Sequence, residues 1–350
     1  AGNPPAYNKS VREFDIVTLD RVRKISIQAD TDVWLEYAGE KGIHGAILSY
    51  LSLKKENFYM VENTVDGKFF VTARGWEDLS EILKSYEELQ VEIGEELIGE
   101  FLQKEEIARD FAGYYRLYEK YKSDYQIQEI LDGNVISGQL KTCCDMGKKA
   151  SFEERFTVTE MLLEAVTERI SVFQKIDEKT EKLYENLKLL KIFLQEKNSV
   201  EAMEQFVASR RKALDAKICS ELLTAEEAAR EEEQIRILEE YFFQLKELHI
   251  SDVAEGIEQI GERFGNVCRL RNEKLKETKK MLEQAFSFLE ECFGEGQELL
   301  LFETGLTGDD RCSIFISQYG CPSYFKHCEL LLYSKKENEM RKECRDLLEE

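Results

Sequence analysis

The sequence predicts a mainly α-helical chain that opens on a short α/β segment. Three observations carry that prediction. The 350 residues include only three prolines and few turn clusters, while Glu, Lys and Leu are abundant, a composition that suits helices. From Asp78 onward, apolar side chains recur mostly three and four residues apart, the period of an amphipathic helix. The start of the chain differs. Ala1-Gly2-Asn3-Pro4 reads as the end of a strand, because Gly and Pro stop a ladder and Pro5 cannot donate to one.

Composition limits the function. Charged residues make up 34% of the chain and the net charge is −22. That argues against a nucleic-acid-binding surface, whose affinity needs basic residues to neutralise phosphates, and favours proteins or nucleotides as partners. No apolar run approaches the length of a membrane span, and no signal-peptide pattern stands at the start. Nine cysteines are an odd number and, apart from Cys143 and Cys144, are widely scattered. This points to free thiols in a reducing cytoplasm more than to a disulfide framework. The chain has no initiator Met and opens inside a strand-loop element, so it is expected to be the C-terminal part of a longer protein.

The first element follows an Asn-Pro turn and a polar loop. The apolar positions of Phe14-Asp15-Ile16-Val17-Thr18-Leu19-Asp20-Arg21-Val22 seat a short segment against a core. Asn3 is then at a strand tip and Arg21 near an edge, both free to face a ligand, and strand tips commonly build sites in α/β proteins. On these residues alone, a turn followed by a surface salt bridge is the simpler account. Lys24-Ile25-Ser26-Ile27-Gln28 alternates as a strand does. Asp30 or Thr31 caps a helix that carries Trp34, Leu35 and Ala38 on one face and breaks at Gly39 and Gly42. Another helix begins in Ile43-His44-Gly45-Ala46-Ile47-Leu48-Ser49-Tyr50-Leu51 and ends by Asn57-Phe58-Tyr59. Lys68-Phe69-Phe70-Val71-Thr72 is strand-like and leads into Ala73-Arg74-Gly75-Trp76-Glu77. His44, alone at a helix start, is a capping or structural group with no catalytic role.

Taken together, these stretches resemble the second half of an AAA+ ATPase module of the MoxR-like branch. In that family a strand-end Asn in a (G/Q)NP context is the sensor-one residue, and Asn3 matches it. An LDR motif carries an arginine finger, and Arg21 in Leu19-Asp20-Arg21 matches it, with Arg23 as the substitute. The lid commonly reads IHP-A-(I/V)-L-x-(F/Y)-L and later PRSWE. Here Ile43–Leu51 and Ala73–Glu77 stand in those places, and Arg74 matches the sensor-two arginine. The departures are Gly45 and Ala73 for Pro and Gly75 for Ser, which are expected to loosen the helix starts. An arginine suits both roles, because its planar guanidinium stays charged and donates in a fork to phosphate oxygens. At a helix N-terminus its charge adds to the partial positive charge already there.

The remaining elements read as follows. A helix spans Asp78 to Leu89, and a helix or helix pair spans Ile93 to Tyr121, whose aromatic stripe of Phe111, Tyr114, Tyr115, Tyr118 and Tyr121 is core packing. Gly133-Asn134-Val135-Ile136-Ser137-Gly138-Gln139-Leu140-Lys141-Thr142 looks like a phosphate-binding P-loop at first sight. In that motif Lys directly follows the second Gly, whereas here Gln139 and Leu140 intervene and no apolar strand leads in. It reads as a loop closing the lid.

From Ser151 a helix carries Met161, Leu162, Ala165, Val166, Ile170, Phe173 and Ile176 at helical spacing. Leu183, Leu187, Leu190 and then Phe193 or Leu194 extend the same face. Further helices run from Val200 to Leu223, Thr224 to Leu248 and Ser251 to Phe293. Thr224-Ala225-Glu226-Glu227 is a capping-box pattern. Wide apolar faces suit a compact bundle or a long antiparallel coiled-coil hairpin. In the tail, Asp309 or Asp310 caps a helix that Gly320 ends, and Cys321-Pro322 starts the next. Cys312, Cys321, His327 and Cys328 are zinc-ligand types, but no Cys pair among them has the gap of about two to four residues that a standard site needs. Buried cysteines are the expectation, and no metal site is assigned.

The expected architecture is therefore a remnant of an AAA+ α/β core (residues 1–29), a helical lid and extension (30–150), a helical bundle or coiled-coil region (151–297) and a C-terminal helical segment (298–350). The resemblance covers roughly residues 1–125. It implies an ATPase that uses ATP and Mg2+ to remodel or mature partner proteins, works as a ring, usually a hexamer, and often acts beside a protein with a von Willebrand factor A domain. The implied catalytic residues are Asn3 and Arg21, and the implied nucleotide-binding residue is Arg74. The chain by itself, without a P-loop or a magnesium-binding acid, is expected not to hydrolyse ATP. The alternative is a non-catalytic helical interaction scaffold with a vestigial ATPase segment.

Overall fold

The structure, a computed structural model, describes residues 20–21, 28–64, 67–134, 137–194, 199–250 and 252–328. Among the described residues there are thirteen α-helices and one two-stranded sheet, so the mainly α prediction holds. The expectations for Asn3 and Arg23 lie outside the described residues, as does all but Gln28 of the strand expected at Lys24–Gln28. The chain divides into two compact units, Ala1–Arg116 and Leu117–Glu350.

In the first unit, α1 (Thr31–Lys41) begins at Asp30, whose carboxylate accepts from the amides of Asp32 and Val33. Of the two candidate caps, Asp30 is the one used. The helix runs through Gly39 and stops at Gly42, which takes the left-handed conformation at φ 66° that a residue without Cβ adopts at little cost. In α2 (Gly45–Leu53), His44 is the cap. A 3-10 turn (Lys55–Asn57) leads into the hairpin of β1 (Met60–Thr64) and β2 (Gly67–Val71), antiparallel with Met60 opposite Val71 and Thr64 opposite Gly67. The strand-like reading located β2. Its partner Met-Val-Glu-Asn-Thr has no apolar alternation and is a strand because β2 pairs with it. Next come α3 (Ala73–Glu88), α4 (Glu95–Phe101) and α5 (Glu105–Tyr125), the last two forming the expected helix pair. Tyr50, Trp76 and Phe111 are fully buried and meet at ring-centroid distances of 5.1 to 5.8 Å. Burying each of these rings contributes roughly 2–3 kcal/mol.

In the second unit, α6 (Ile127–Asp132) ends at Gly133, in the left-handed conformation, and α7 spans Ser137–Gly147. The loop expected across Gly133–Thr142 is corrected here, because Ser137 to Thr142 are helical. A helix, and not a strand, precedes Gly133, so the chain does not enter this stretch as it would a phosphate-binding loop.

Two long helices, α8 (Phe152–Leu194, 43 residues) and α11 (Val253–Phe293, 41 residues), pack against each other. Asp177 bonds Arg271 and Tyr184 stacks on Phe264. Residue numbers rise along one helix as they fall along the other, so the pair is antiparallel. Between them come α9 (Ser199–Cys219) and α10 (Ala225–Glu247), whose Phe206, Leu214, Leu238 and Leu245 share a core with Leu183 and Leu190 of α8 and Ile260 of α11. The capping box at Thr224 forms as read. Of the two residues read as continuing the buried face of α8, Phe193 or Leu194, Phe193 is 42% exposed and packs edge-on against Phe206. The last helices are α12 (Gln297–Gly308) and α13 (Asp310–Tyr319), with Asp309 the cap used and Gly320 the stop, followed by a helical stretch at 322–328. Among the described residues no helix is long and apolar enough to cross a membrane.

Candidate functional site

The candidate site is the start of α3. Thr72 precedes it in extended backbone and its Oγ1 accepts from the Gly75 amide at 3.2 Å. That leaves the amides of Ala73 and Arg74 in the first turn, where a helix supplies no carbonyl partner. Arg74 is exposed. A guanidinium beside first-turn amides is suited to holding an oxyanion such as a phosphate, and its chemistry is binding and charge stabilisation rather than proton transfer.

The turn beneath Arg74 is tightly seated. Trp76 is fully buried, and its indole N–H donates to the Phe58 carbonyl at 3.0 Å. A Cβ on Gly75 would lie 2.8 Å from the Phe101 carbonyl oxygen at the end of α4. The Gln103 amide, just past α4, donates to the Phe70 carbonyl of β2 at 3.1 Å. Four segments thus meet at one helix start.

A polar network holds the rest of α3. The His44 amide donates to Ser80 Oγ at 2.9 Å. The His44 ring accepts from the Ala46 amide at Nδ1 (3.1 Å), so its proton sits on Nε2, which donates to Glu87 Oε1 at 2.8 Å. Tyr115 donates to the same carboxylate oxygen at 2.9 Å. This is the capping and structural role read for His44, and it ties the start of α2 to the middle and end of α3. Nearby, Asp110 accepts from Tyr50 at 2.8 Å and from Lys54 at 2.6 Å, while Asn57 donates to the Tyr50 hydroxyl at 2.7 Å. Burial, then the bond to Asp110, pushes the Tyr50 phenol far above its ordinary range. Partial burial would raise the Asp110 carboxyl, but the hydrogen bonds from Lys54 and Tyr50 outweigh it and hold it below its usual value.

Of the residues singled out in sequence, Arg74 occupies the second position of α3. Arg21 is exposed in helical backbone, and Asn3 lies outside the described residues. Sequence reasoning passed over the capping role of Thr72 and over Glu87 and Asp110, and it read Gly75 only as a loosening of the helix start. Thr72 had a local signal, a hydroxyl just ahead of a helical pattern. Glu87 and Asp110 had none, because their partners lie dozens of residues away.

In the second unit, the zinc-type residues have separate partners. Cys312 contacts Thr167 at 3.5 Å, Cys321 contacts Glu283 at 3.5 Å, and His327 bonds Glu290 at 2.5 Å. Burial pushes both thiols up to about 12. These are the buried cysteines that the spacing implied. Compared with known proteins, the chain matches no family model, no curated protein and no solved structure.

Proposed function

We propose that this chain is the C-terminal part of a MoxR-like AAA+ ATPase that uses ATP hydrolysis to remodel or mature partner proteins. The observation that carries the reading is Arg74. The motif order of Asn3, Leu19-Asp20-Arg21, Ile43–Leu51 and Ala73–Glu77 puts a sensor-two arginine there, and the residue stands exposed in the first turn of a 16-residue helix whose next turn is anchored by Trp76. In this reading Arg74 grips nucleotide phosphate and couples nucleotide state to the position of the helical lid. Arg21 reaches the γ-phosphate of a neighbour in a ring, usually hexameric, where its fixed charge stabilises the transition state. Asn3 orients the attacking water. The phosphate cradle and the acid that binds Mg2+ belong to the part of such a module ahead of the sensor-one strand, so these residues alone do not turn over ATP. The compartment is the cytoplasm, and a protein with a von Willebrand factor A domain is the partner class.

The test is ATP turnover by the full-length protein, with Arg21→Ala alone and mixed with wild type. The reading expects a variant ring that binds ATP without cleaving it and that slows wild type when mixed in. If Arg21→Ala changes nothing, Arg23→Ala decides whether the finger is its neighbour. A full-length protein that neither binds nor cleaves ATP refutes the reading.

A second reading, a non-catalytic helical scaffold with a vestigial ATPase segment, is favoured by one observation. Leu189, Ile192 and Phe193 near the end of α8 are 42 to 58% exposed, as a partner-binding surface would be. It predicts no nucleotide binding by the full-length protein.

A further inference from the structure

Gly75 stands where the resembling family has Ser, and in sequence it reads as a loosening of the helix start. The structure gives it a different role. It is the third residue of α3, and a Cβ there would sit 2.8 Å from the Phe101 carbonyl oxygen and 3.7 Å from its carbon. The obstacle is backbone, so it cannot be relieved by turning a side chain. Phe101 is the last residue of α4, where carbonyls have no intrahelical partner, and the absence of a side chain on Gly75 lets that carbonyl close on the helix backbone. Other bonds hold the same turn in place. Thr72 Oγ1 accepts from the Gly75 amide at 3.2 Å, the Trp76 indole donates to Phe58, and the Gln103 amide links the end of α4 to β2. Arg74 precedes Gly75 and shares its turn, so anything that lifts Gly75 off Phe101 moves the base of Arg74.

We infer that Gly75 is a positioning residue for Arg74: its close approach to the Phe101 carbonyl sets where the guanidinium is presented and links that presentation to the packing of α4. This rests on the reading of Arg74 as a nucleotide contact. Alanine is the better helix former, so a purely local view expects Gly75→Ala to be harmless or stabilising. The contact predicts the opposite for nucleotide binding.

The experiment measures MgATP affinity of the full-length protein for wild type, Arg74→Ala, Gly75→Ala and the double variant, with helix content followed by circular dichroism. Arg74→Ala and Gly75→Ala are each expected to weaken binding by about tenfold, and the double variant no further than Arg74→Ala alone, because residues acting through one contact are not additive. A general structural defect would instead multiply the two losses. Thr72→Ala removes the cap without adding an atom. It is expected to weaken binding several-fold, again with no added effect in the Arg74→Ala background, and it carries the test if Gly75→Ala does not fold. Wild-type affinity in Gly75→Ala, or multiplied losses in the double variant, overturns the inference. ATP binding that ignores Arg74→Ala overturns the inference together with the role read for Arg74, and the Arg21→Ala mixing experiment then decides the ATPase reading separately. A wild-type protein that binds no ATP removes the functional reading and the inference together.

Discussion

Glu160 offers the sharpest physical test of the second unit. It lies half-buried on α8, one helical turn from Glu164, which accepts from Tyr118 at 3.1 Å. Burial, then repulsion from Glu164, pushes its carboxyl from 4.5 up to about 7. The folded state therefore binds this proton more tightly than the unfolded chain does. Its contribution is fully present below pH 4.5 and is lost as pH rises to about 7. At about 1.36 kcal/mol per pH unit the loss is at most roughly 3 kcal/mol. Part of the side chain still reaches water, which screens the penalty, so about 1–2 kcal/mol is expected. Glu160→Gln keeps the shape of the neutral acid and cannot ionise. Urea unfolding followed by helical circular dichroism should show variant and wild type nearly equal at pH 4.5, with the variant more stable by that amount at pH 8. Equal stability at both pH values, or a variant less stable at pH 8, would refute the argument that burial and Glu164 act on this carboxyl.

Two further substitutions test the packing and capping arguments. Trp76→Phe removes the indole N–H that donates to the Phe58 carbonyl and shrinks a fully buried ring; a loss of about 2–4 kcal/mol is expected in denaturant unfolding of the first unit. Thr224→Ala breaks a reciprocal capping box in which the Thr224 hydroxyl accepts from the Glu227 amide and the Glu227 carboxylate accepts from the Thr224 amide at 2.8 Å. The cost should be about 1 kcal/mol, with fraying at the start of α10 seen by amide hydrogen exchange.

The legible parts of this chain were local. The helix start at Thr224 and the stop at Gly320 could be read, and those at Asp30, Gly42 and Asp309 could be read to one of two candidates each, because a cap satisfies amides or carbonyls within a few residues of itself. The long apolar faces of α8 and α11 could be read because burial imposes a period on the residues that face the core. The start of α3 is not legible in the same way: the helical pattern read from the sequence begins at Asp78, Arg74 is put at a helix start only by the family resemblance, and the helix begins at Ala73.

Tertiary structure decided what depends on distant partners. β1 is a strand through pairing with β2, and its composition alone does not ask for one. Ser137–Gly147 is a helix that packs on α11, where the glycines of the sequence suggested a loop. His44 is held by Glu87 and Ser80, and Tyr50 by Asp110, carboxylates and hydroxyls whose roles exist only once three helices have met. Gly75 is the clearest case. In sequence it is a weak helix residue, and in the fold it is the position where one backbone must pass another at a distance that any side chain would forbid. Periodicity and capping record what a residue owes to its neighbours in the chain, whereas close approach and buried hydrogen bonds record what it owes to residues that only folding brings near.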